Sequence, residues 1–185
     1  MPVTPIDTNQ IVITASRAPE PQAETPASVT IIDRARIERL GEPLIPARLR
    51  LTPSAAVTTL GPSGLLTEVR IRGAEANHTL LFVDGIKIDD PASGDTPRFE
   101  LLNADLASRI EVVRGPQSAL WGSEAIGGVI AVNGVENAPG YAASVEAGSF
   151  GFLRANASEA IVSGRANLAG ALGWQRATGI DSFSG

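Results

Sequence analysis

Arg109-Ile110-Glu111-Val112-Val113-Arg114-Gly115-Pro116, followed by Gln117-Ser118-Ala119-Leu120-Trp121-Gly122 and then by Gly127-Gly128-Val129-Ile130-Ala131-Val132, is the stretch on which the fold turns. A β-branched run reads as a strand over 109–114, and Gly-Pro breaks it because proline has no N–H to donate to a ladder. A helical turn over 117–121 and a second apolar strand over 129–132 follow. Strand, turn of helix and strand in so short a span predict a mixed α+β unit of short elements.

Working outward, Leu81-Phe82-Val83 and Ile86-Lys87-Ile88 flank Asp84-Gly85. Asp-Gly between two apolar runs predicts a hairpin, since both turn positions must tolerate positive φ. Glu68 to Gly73 alternates as a strand, and Ala104 to Ala107 reads as a helical turn before the 109–114 strand. Val29-Thr30-Ile31-Ile32 reads as another strand, and Asp33 is placed to N-cap a helix over 34–40 that stops at Gly41. Leu44, Ile45, Arg48, Leu49 and Leu51 have helical spacing, with Pro53 as the stop. Residues 28–134 are therefore expected to form an α+β domain, a short mixed sheet with short helices, long enough to fold alone.

The flanks obey other rules. Residues 1–27 hold Pro2, Pro5, Pro19, Pro21 and Pro26 around one apolar island, Ile11-Val12-Ile13, and read as a mobile tail with one extended segment. From 135 to 185 the pattern is alternation without helices. Ala166, Leu168, Gly170, Leu172 and Trp174 share one face, while Arg165, Asn167 and Gln175 share the other. Noisier alternation runs over 141–147 and 152–160. These segments approach the ~9–11 residues that a tilted strand needs to cross a bilayer. Three antiparallel strands leave open edges, which hydrocarbon does not tolerate, so either they belong to an incomplete transmembrane β-barrel or they never reach a membrane.

Composition excludes several function classes. The formal net charge of -5 among 185 residues, with no Lys/Arg cluster, argues against nucleic acid as a partner. Without cysteine there is no disulfide, thiolate nucleophile or Cys-bound metal. The start has neither a basic nor an apolar signal-peptide region, and no run of 18 apolar residues marks a transmembrane helix. No Gly-x-Ser-x-Gly elbow, phosphate loop or paired catalytic carboxylates are present, so no enzyme is expected. His78 is the only histidine and reads as a solvated loop residue; the acids Asp89, Asp90 and Asp95 lack the spacing of an EF-hand loop, so neither metal nor cofactor is expected.

Five ordered blocks, Val69-Arg70-Ile71-Arg72-Gly73, Leu81-Phe82-Val83-Asp84-Gly85, Ile110 to Pro116, Ser118 to Gly122 and Ala125 to Ile130, follow Asp7-Thr8-Asn9-Gln10-Ile11-Val12-Ile13-Thr14-Ala15. In this order and spacing the chain resembles the plug domain and first barrel strands of TonB-dependent outer-membrane receptors, and its wording at Ser63-Gly64-Leu65-Leu66, 71–78 and 122–128 is most similar to the cobalamin (vitamin B12) receptors.

The resemblance implies a plug inside a barrel of the Gram-negative outer membrane, facing the periplasm, with cobalamin or a ferric siderophore as ligand. It implies that Thr8, Asn9, Gln10, Ile11, Val12, Ile13 and Thr14 form a TonB box that binds the periplasmic domain of TonB. An extended, β-branched segment suits that role, because it can add as a strand to a partner's sheet. Arg72 and Arg114 are expected to look across the plug–barrel boundary toward barrel glutamates, since a buried guanidinium needs a carboxylate. Leu66, Ser93 and Gly94 are the expected substrate contacts, in loops where glycine permits close approach. Asp181 matches a calcium-binding loop of the cobalamin receptors, but its companions would lie past Gly185. A soluble periplasmic binding or signalling module with a plug-like domain is the alternative of a different class.

Overall fold

The computed structural model describes residues 11–12, 20–61, 64–134, 140–163 and 166–178. Its elements in chain order are β1 (Ile11–Val12), β2 (Glu20–Pro21), β3 (Ser28–Asp33), α1 (Arg34–Leu40), α2 (Ile45–Leu49), β4 (Ala55–Thr59), β5 (Thr67–Ile71), β6 (Thr79–Val83), β7 (Ile86–Lys87), β8 (Ala107–Arg114), α3 (Ser118–Trp121), β9 (Gly128–Gly134), β10 (Gly140–Ala147), β11 (Leu153–Ser163) and β12 (Ala166–Arg176). Single turns of 3-10 helix occupy Ala76–His78, Pro91–Ser93, Phe99–Leu101 and Ala104–Leu106.

Five strands form one mixed sheet in the order β3-β8-β9-β6-β7. Only β6 and β9 run parallel; the other neighbours are antiparallel. Alternation divides the strands between two apolar layers. Ile32, Leu81, Ile110, Val112, Ile130 and Val132 point into the main core with Ile37 and Ile45 from the helices, Val69 and Ile71 from β5, and Phe99. On the opposite face Leu80, Ala125 and Val129 pack with Phe82 and Trp121, whose ring centroids are 4.5 Å apart, while Val113 packs with Ala27, Val29 and Ile31. Covering both faces explains why these strands read as continuous apolar runs.

Local chemistry sets the boundaries. Asp33 accepts a hydrogen bond from the Arg36 N–H at 2.8 Å, and Gly41 closes α1 in the left-handed region at φ 63°, as the sequence implies. Asp84 and Gly85, at φ 48° and 80°, make the expected hairpin turn between β6 and β7. At the start of β9 a Cβ on Gly128 would collide with the Val113 carbonyl oxygen, and one on Gly127 would lie 2.9 Å from Ala74 Cβ. The glycine pair is thus a requirement of close backbone packing. The second helix is shorter than its spacing predicts: Leu44 flanks it in extended conformation, bridged to Asn103, and Leu51 lies beyond its end, exposed. Strand β4, unmarked in the sequence, pairs with β5 in a separate hairpin.

Strands β10, β11 and β12 form an antiparallel sheet of their own, with eight, eleven and eleven residues. Its outward face carries the expected apolar row, including Tyr141, Val145, Ile161, Leu168, Leu172 and Trp174, all exposed. Its inward face puts Arg154, Asn156 and Ala160 against the first unit. Among the described residues both outer edges of this sheet are unpaired.

Candidate functional site

The loop end of the first unit is built around one buried carboxylate. Phe99 fills the core and carries Glu100 with it, so that the Glu100 side chain is almost wholly enclosed between two loops. Its Oε2 accepts the Thr67 N–H at 3.3 Å, and its Oε1 pairs with Arg98 Nε at 2.7 Å. Arg98 reaches on to Asp90 Oδ2 at 3.2 Å. Asp90 in turn organises the next loop: its carboxylate accepts the Ala92 N–H at 3.0 Å, and its carbonyl accepts the Ser93 and Asp95 N–H groups at 2.9 and 3.0 Å.

This relay brings together the two loops that hold the expected substrate contacts. Leu66 is half-buried, directly before the tethered Thr67, and its carbonyl accepts the Leu60 N–H at 3.0 Å to close the loop between β4 and β5. Ser93 and Gly94 are exposed at the tip of the second loop; the Ser93 hydroxyl donates to the Asp90 carbonyl at 3.2 Å, and Gly94 takes the left-handed conformation at φ 67°. Leu60 and Leu65 add exposed apolar surface beside them. Of the organising residues, Asp90 enters the sequence reading only as an acid weighed for calcium, and Arg98 and Glu100 do not enter it. Their only trace there is a charge pair two positions apart around a phenylalanine. Among the described residues no group of three or more His, Cys, Asp or Glu converges as a metal site. His78 is half-buried, and its carbonyl accepts the Gly127 N–H at 2.9 Å.

The Arg72 side chain reaches the residue that follows Arg114. Arg72 follows β5 with φ 55°, and its guanidinium lies over Gly115, with Nη1 2.7 Å from where a Cβ would stand. Arg114 precedes that glycine and is half-buried, with its Nε lacking a hydrogen-bond partner among the described residues. Neither arginine has an ion-pair carboxylate among those residues.

The contact between the first unit and the β10–β12 sheet is made elsewhere. Asp105 is pinned by its own backbone: its N–H donates to Asn103 Oδ1 at 2.9 Å, and its carbonyl accepts from Arg34 Nη1 at 2.9 Å. Its carboxylate then faces β11. Asn156 Nδ2 donates to Oδ2, Arg154 Nε lies 3.4 Å from the same oxygen, and Asn156 Oδ1 accepts from Asn103 Nδ2 at 3.1 Å. From the other side, Arg48 Nη2 approaches Asp105 Oδ1 to 4.0 Å, while the same guanidinium donates to the Ile37 and Glu42 carbonyls at the end of α1. Burial pushes the Arg48 guanidinium below its ordinary value, and the Asp105 carboxylate works against that shift. Arg154 also pairs with Glu146 on β10 at 2.6 Å. A cavity of about 300 Å³ opens beside these groups.

At the exit toward the second sheet, the Gly134 N–H donates to Asp84 Oδ1 at 2.6 Å, and the Ser108 hydroxyl donates to the Gly134 carbonyl. In the N-terminal segment, Ile11 and Val12 pair antiparallel with Pro21 and Glu20. Thr8, Asn9, Gln10, Ile13 and Thr14 lie outside the described residues, as does Asp181.

Comparison with known proteins follows the same division. Residues 21–129 match the family described as the TonB-dependent Receptor Plug Domain. Over 126 residues the chain is 36% identical to the Vitamin B12 transporter BtuB of Vibrio vulnificus (strain YJ016), a match that takes in 68% of this chain and 20% of that protein. The chain thus spans about a fifth of the length of this curated relative. In fold it resembles the ferripyoverdine receptor of the outer membrane of Pseudomonas aeruginosa, with a TM-score of 0.73 and 21% identity over 90% of this chain and 22% of that one. It also resembles the siderophore receptor PiuA of Acinetobacter baumannii, with a TM-score of 0.62 and 24% identity over 77% of this chain and 19% of that one.

Proposed function

Because the chain belongs to the TonB-dependent receptors, which are outer-membrane proteins, we propose that it supplies the plug and first barrel strands of a transporter that takes up cobalamin. The observation that carries this reading is the 36% identity to the vitamin B12 transporter, which runs over 126 residues. We divide the chain into a coupling tail over 1–27, a plug over 28–134 and barrel strands from 135 onward. No chemical transformation is assigned to it.

In this reading the plug meets its ligand with the two tethered loops. Leu66, Ser93 and Gly94 make the contacts, and the exposed Leu60 and Leu65 supply apolar surface. Among the described residues, the cations in or beside these loops in sequence are committed: Arg98 to Glu100 and Asp90, Arg70 to Glu68, and Lys87 to Asp89 and Glu124. A loop surface without spare positive charge suits a large neutral ligand better than a polyanionic iron chelate, which would need uncommitted cations to replace its hydration. Thr8 to Thr14 form the segment offered to TonB. The paired, extended backbone at Ile11 and Val12 supports that assignment, because a two-residue ladder is a weak competitor for a longer strand addition. Arg72 and Arg114, without carboxylates in the described part, are assigned to glutamates on other barrel strands.

The reading is tested by grafting residues 1–178 in place of the corresponding part of the V. vulnificus vitamin B12 transporter and measuring labelled cobalamin uptake in cells with and without TonB. TonB-dependent uptake of cobalamin is expected. Uptake of ferric siderophores in its place would transfer the assignment to that cargo, and a chimera that inserts in the outer membrane but moves neither would end the transport reading. A peptide of residues 7–17, titrated against a TonB C-terminal domain, is expected to release or absorb heat on binding. No binding would remove the tail from the coupling role.

A further inference from the structure

The seam at Asp105 has a property that its distances alone supply. A buried ion pair is costly to break when separation leaves one charge without a partner. Here each side of the seam owns a second partner of opposite sign. Arg154 and Glu146 face each other across β10 and β11 as directly paired residues, 2.6 Å apart, and belong to the same sheet. Asp105 and Arg48 both belong to the plug, 4.0 Å apart. If the plug moved away from β11, Arg154 would keep Glu146 and Asp105 would keep Arg48. What would be lost is the 3.4 Å approach of Arg154 to Asp105 and the two amide contacts made by Asn156.

We propose that Asp105, Arg154 and Glu146 form a shared-partner latch: a contact between plug and first barrel hairpin that positions the two while closed and opens without stranding a charge, because Arg154 keeps Glu146 and Asp105 keeps Arg48. Asp105 is a positioning residue in this scheme, held at the correct place by Asn103 and Arg34 so that its carboxylate meets β11 without induced movement. Glu146 takes no part in closing the seam. It holds Arg154 whether the seam is closed or open, and once Asp105 is gone it is the carboxylate the guanidinium keeps, so its loss costs the open state more than the closed one. The scheme rests on the plug-and-barrel reading for its purpose, but its operation is a property of this chain alone.

The chain has no cysteine, so two introduced ones are unique spin-label sites. Arg39→Cys on α1 and Leu172→Cys on the outward face of β12 are both at exposed positions, one on each side of the seam. Pulsed electron–electron resonance on the full chain in detergent micelles, across a urea series, reads the ratio of closed to open populations. Asp105→Asn is expected to lower that ratio by about tenfold, and Glu146→Gln to raise it by about twofold. The opposite sign is the signature of the latch, because a residue that merely braced the interface would lower the ratio when removed. An unchanged ratio in Asp105→Asn, or a lowered one in Glu146→Gln, overturns the proposal. Should Asp105→Asn lose its native circular dichroism, Arg154→Met approaches the seam from the other side and carries the same expectation of a tenfold fall. Neither TonB nor a transported ligand is present, so this result and the transport assay fail independently.

Discussion

The two sheets of this chain use one alternating code in opposite senses. In the sheet β3-β8-β9-β6-β7 apolar side chains of β3, β8, β9 and β6 are enclosed on both faces, and Ile110, Val112 and Ile130 have no exposed surface; at the β7 edge Ile86 is exposed. In β10-β11-β12 the apolar side chains are the exposed ones, with Tyr141 at 91 % and Leu172 at 79 %, whereas the enclosed ones include Arg154 at 2 % and Asn156 at 9 %. The difference teaches that alternation specifies only that two faces differ. Which face is the interior depends on the solvent beyond it, water for the plug and hydrocarbon for the strands.

The strongest way to break this comparison is to delete one apolar group from the core beneath the first sheet and one from the outward face of the second. Phe99→Ala, in the plug core, is expected to lower stability to urea by ~3–5 kcal/mol, whereas Leu172→Ala should leave the plug transition in place. Equal losses would mean that Leu172 is a core residue. Next in size is a charge on the outward face. Leu172→Arg is expected to cost ~2–4 kcal/mol when folding of the chimera with the V. vulnificus transporter, which has a whole barrel, is measured in lipid vesicles. In the aqueous plug transition the same change should be within about 0.5 kcal/mol of zero. A similar cost in both media would show that the face is turned to protein.

The enclosed charges sharpen the contrast at smaller scale. Glu100→Gln keeps the shape but removes the charge that holds Arg98 and the Thr67 N–H, and a loss of ~1–3 kcal/mol is expected. Hydrogen exchange should rise at residues 67 and 90–95 together, since one carboxylate ties both loops; a rise in only one loop would cut the relay. Smallest is the surface pair at the β7 edge. Glu124 at 2.5 Å and Asp89 at 2.9 Å raise the Lys87 pKa above its ordinary value of 10.5, with the hydrogen bond that Lys87 donates to Glu124 as the largest cause. A raised pKa means that Lys87 contributes stability that is fully present below pH 10.5 and is lost as pH climbs through the higher folded value. The contribution is under about 1 kcal/mol because the side chain is partly solvated. The difference in urea midpoint between the parent and Lys87→Met should therefore shrink above pH 10.5, and a constant difference would assign the effect to packing of the lysine stem.

What could be read in the sequence was local. Asp33 and Gly41 bound α1, Asp84-Gly85 makes the hairpin, and the 166–174 alternation gives the outward face, because each signal acts within a few residues of itself. Strand β4 escaped because Ala-Ala-Val-Thr-Thr offers one large apolar group, and its pairing energy comes from β5. The loop relay joins Thr67 to Glu100 over 33 positions, and the seam joins Asp105 to Asn156 over 51. No spacing rule reaches that far. The family resemblance implies charges of both signs meeting across the plug boundary at Arg72 and Arg114. Among the described residues the boundary charge on the plug is the carboxylate of Asp105, and the arginine comes from β11.

The strand order also decides how the plug would answer a pull. The tail joins at Ser28, which is paired through Arg114 to the Gly128 end of β9, while the chain leaves at Gly134, the opposite end of the same strand. Since β3 and β9 both run antiparallel to β8, tension between tail and barrel acts along the strands, at right angles to the hydrogen bonds that join them. Such tension is shared by every rung between β3, β8 and β9 at once, as sliding, and no first rung is isolated for peeling. The N-terminal tether and the exit thus make the sheet stiff along the line that joins them.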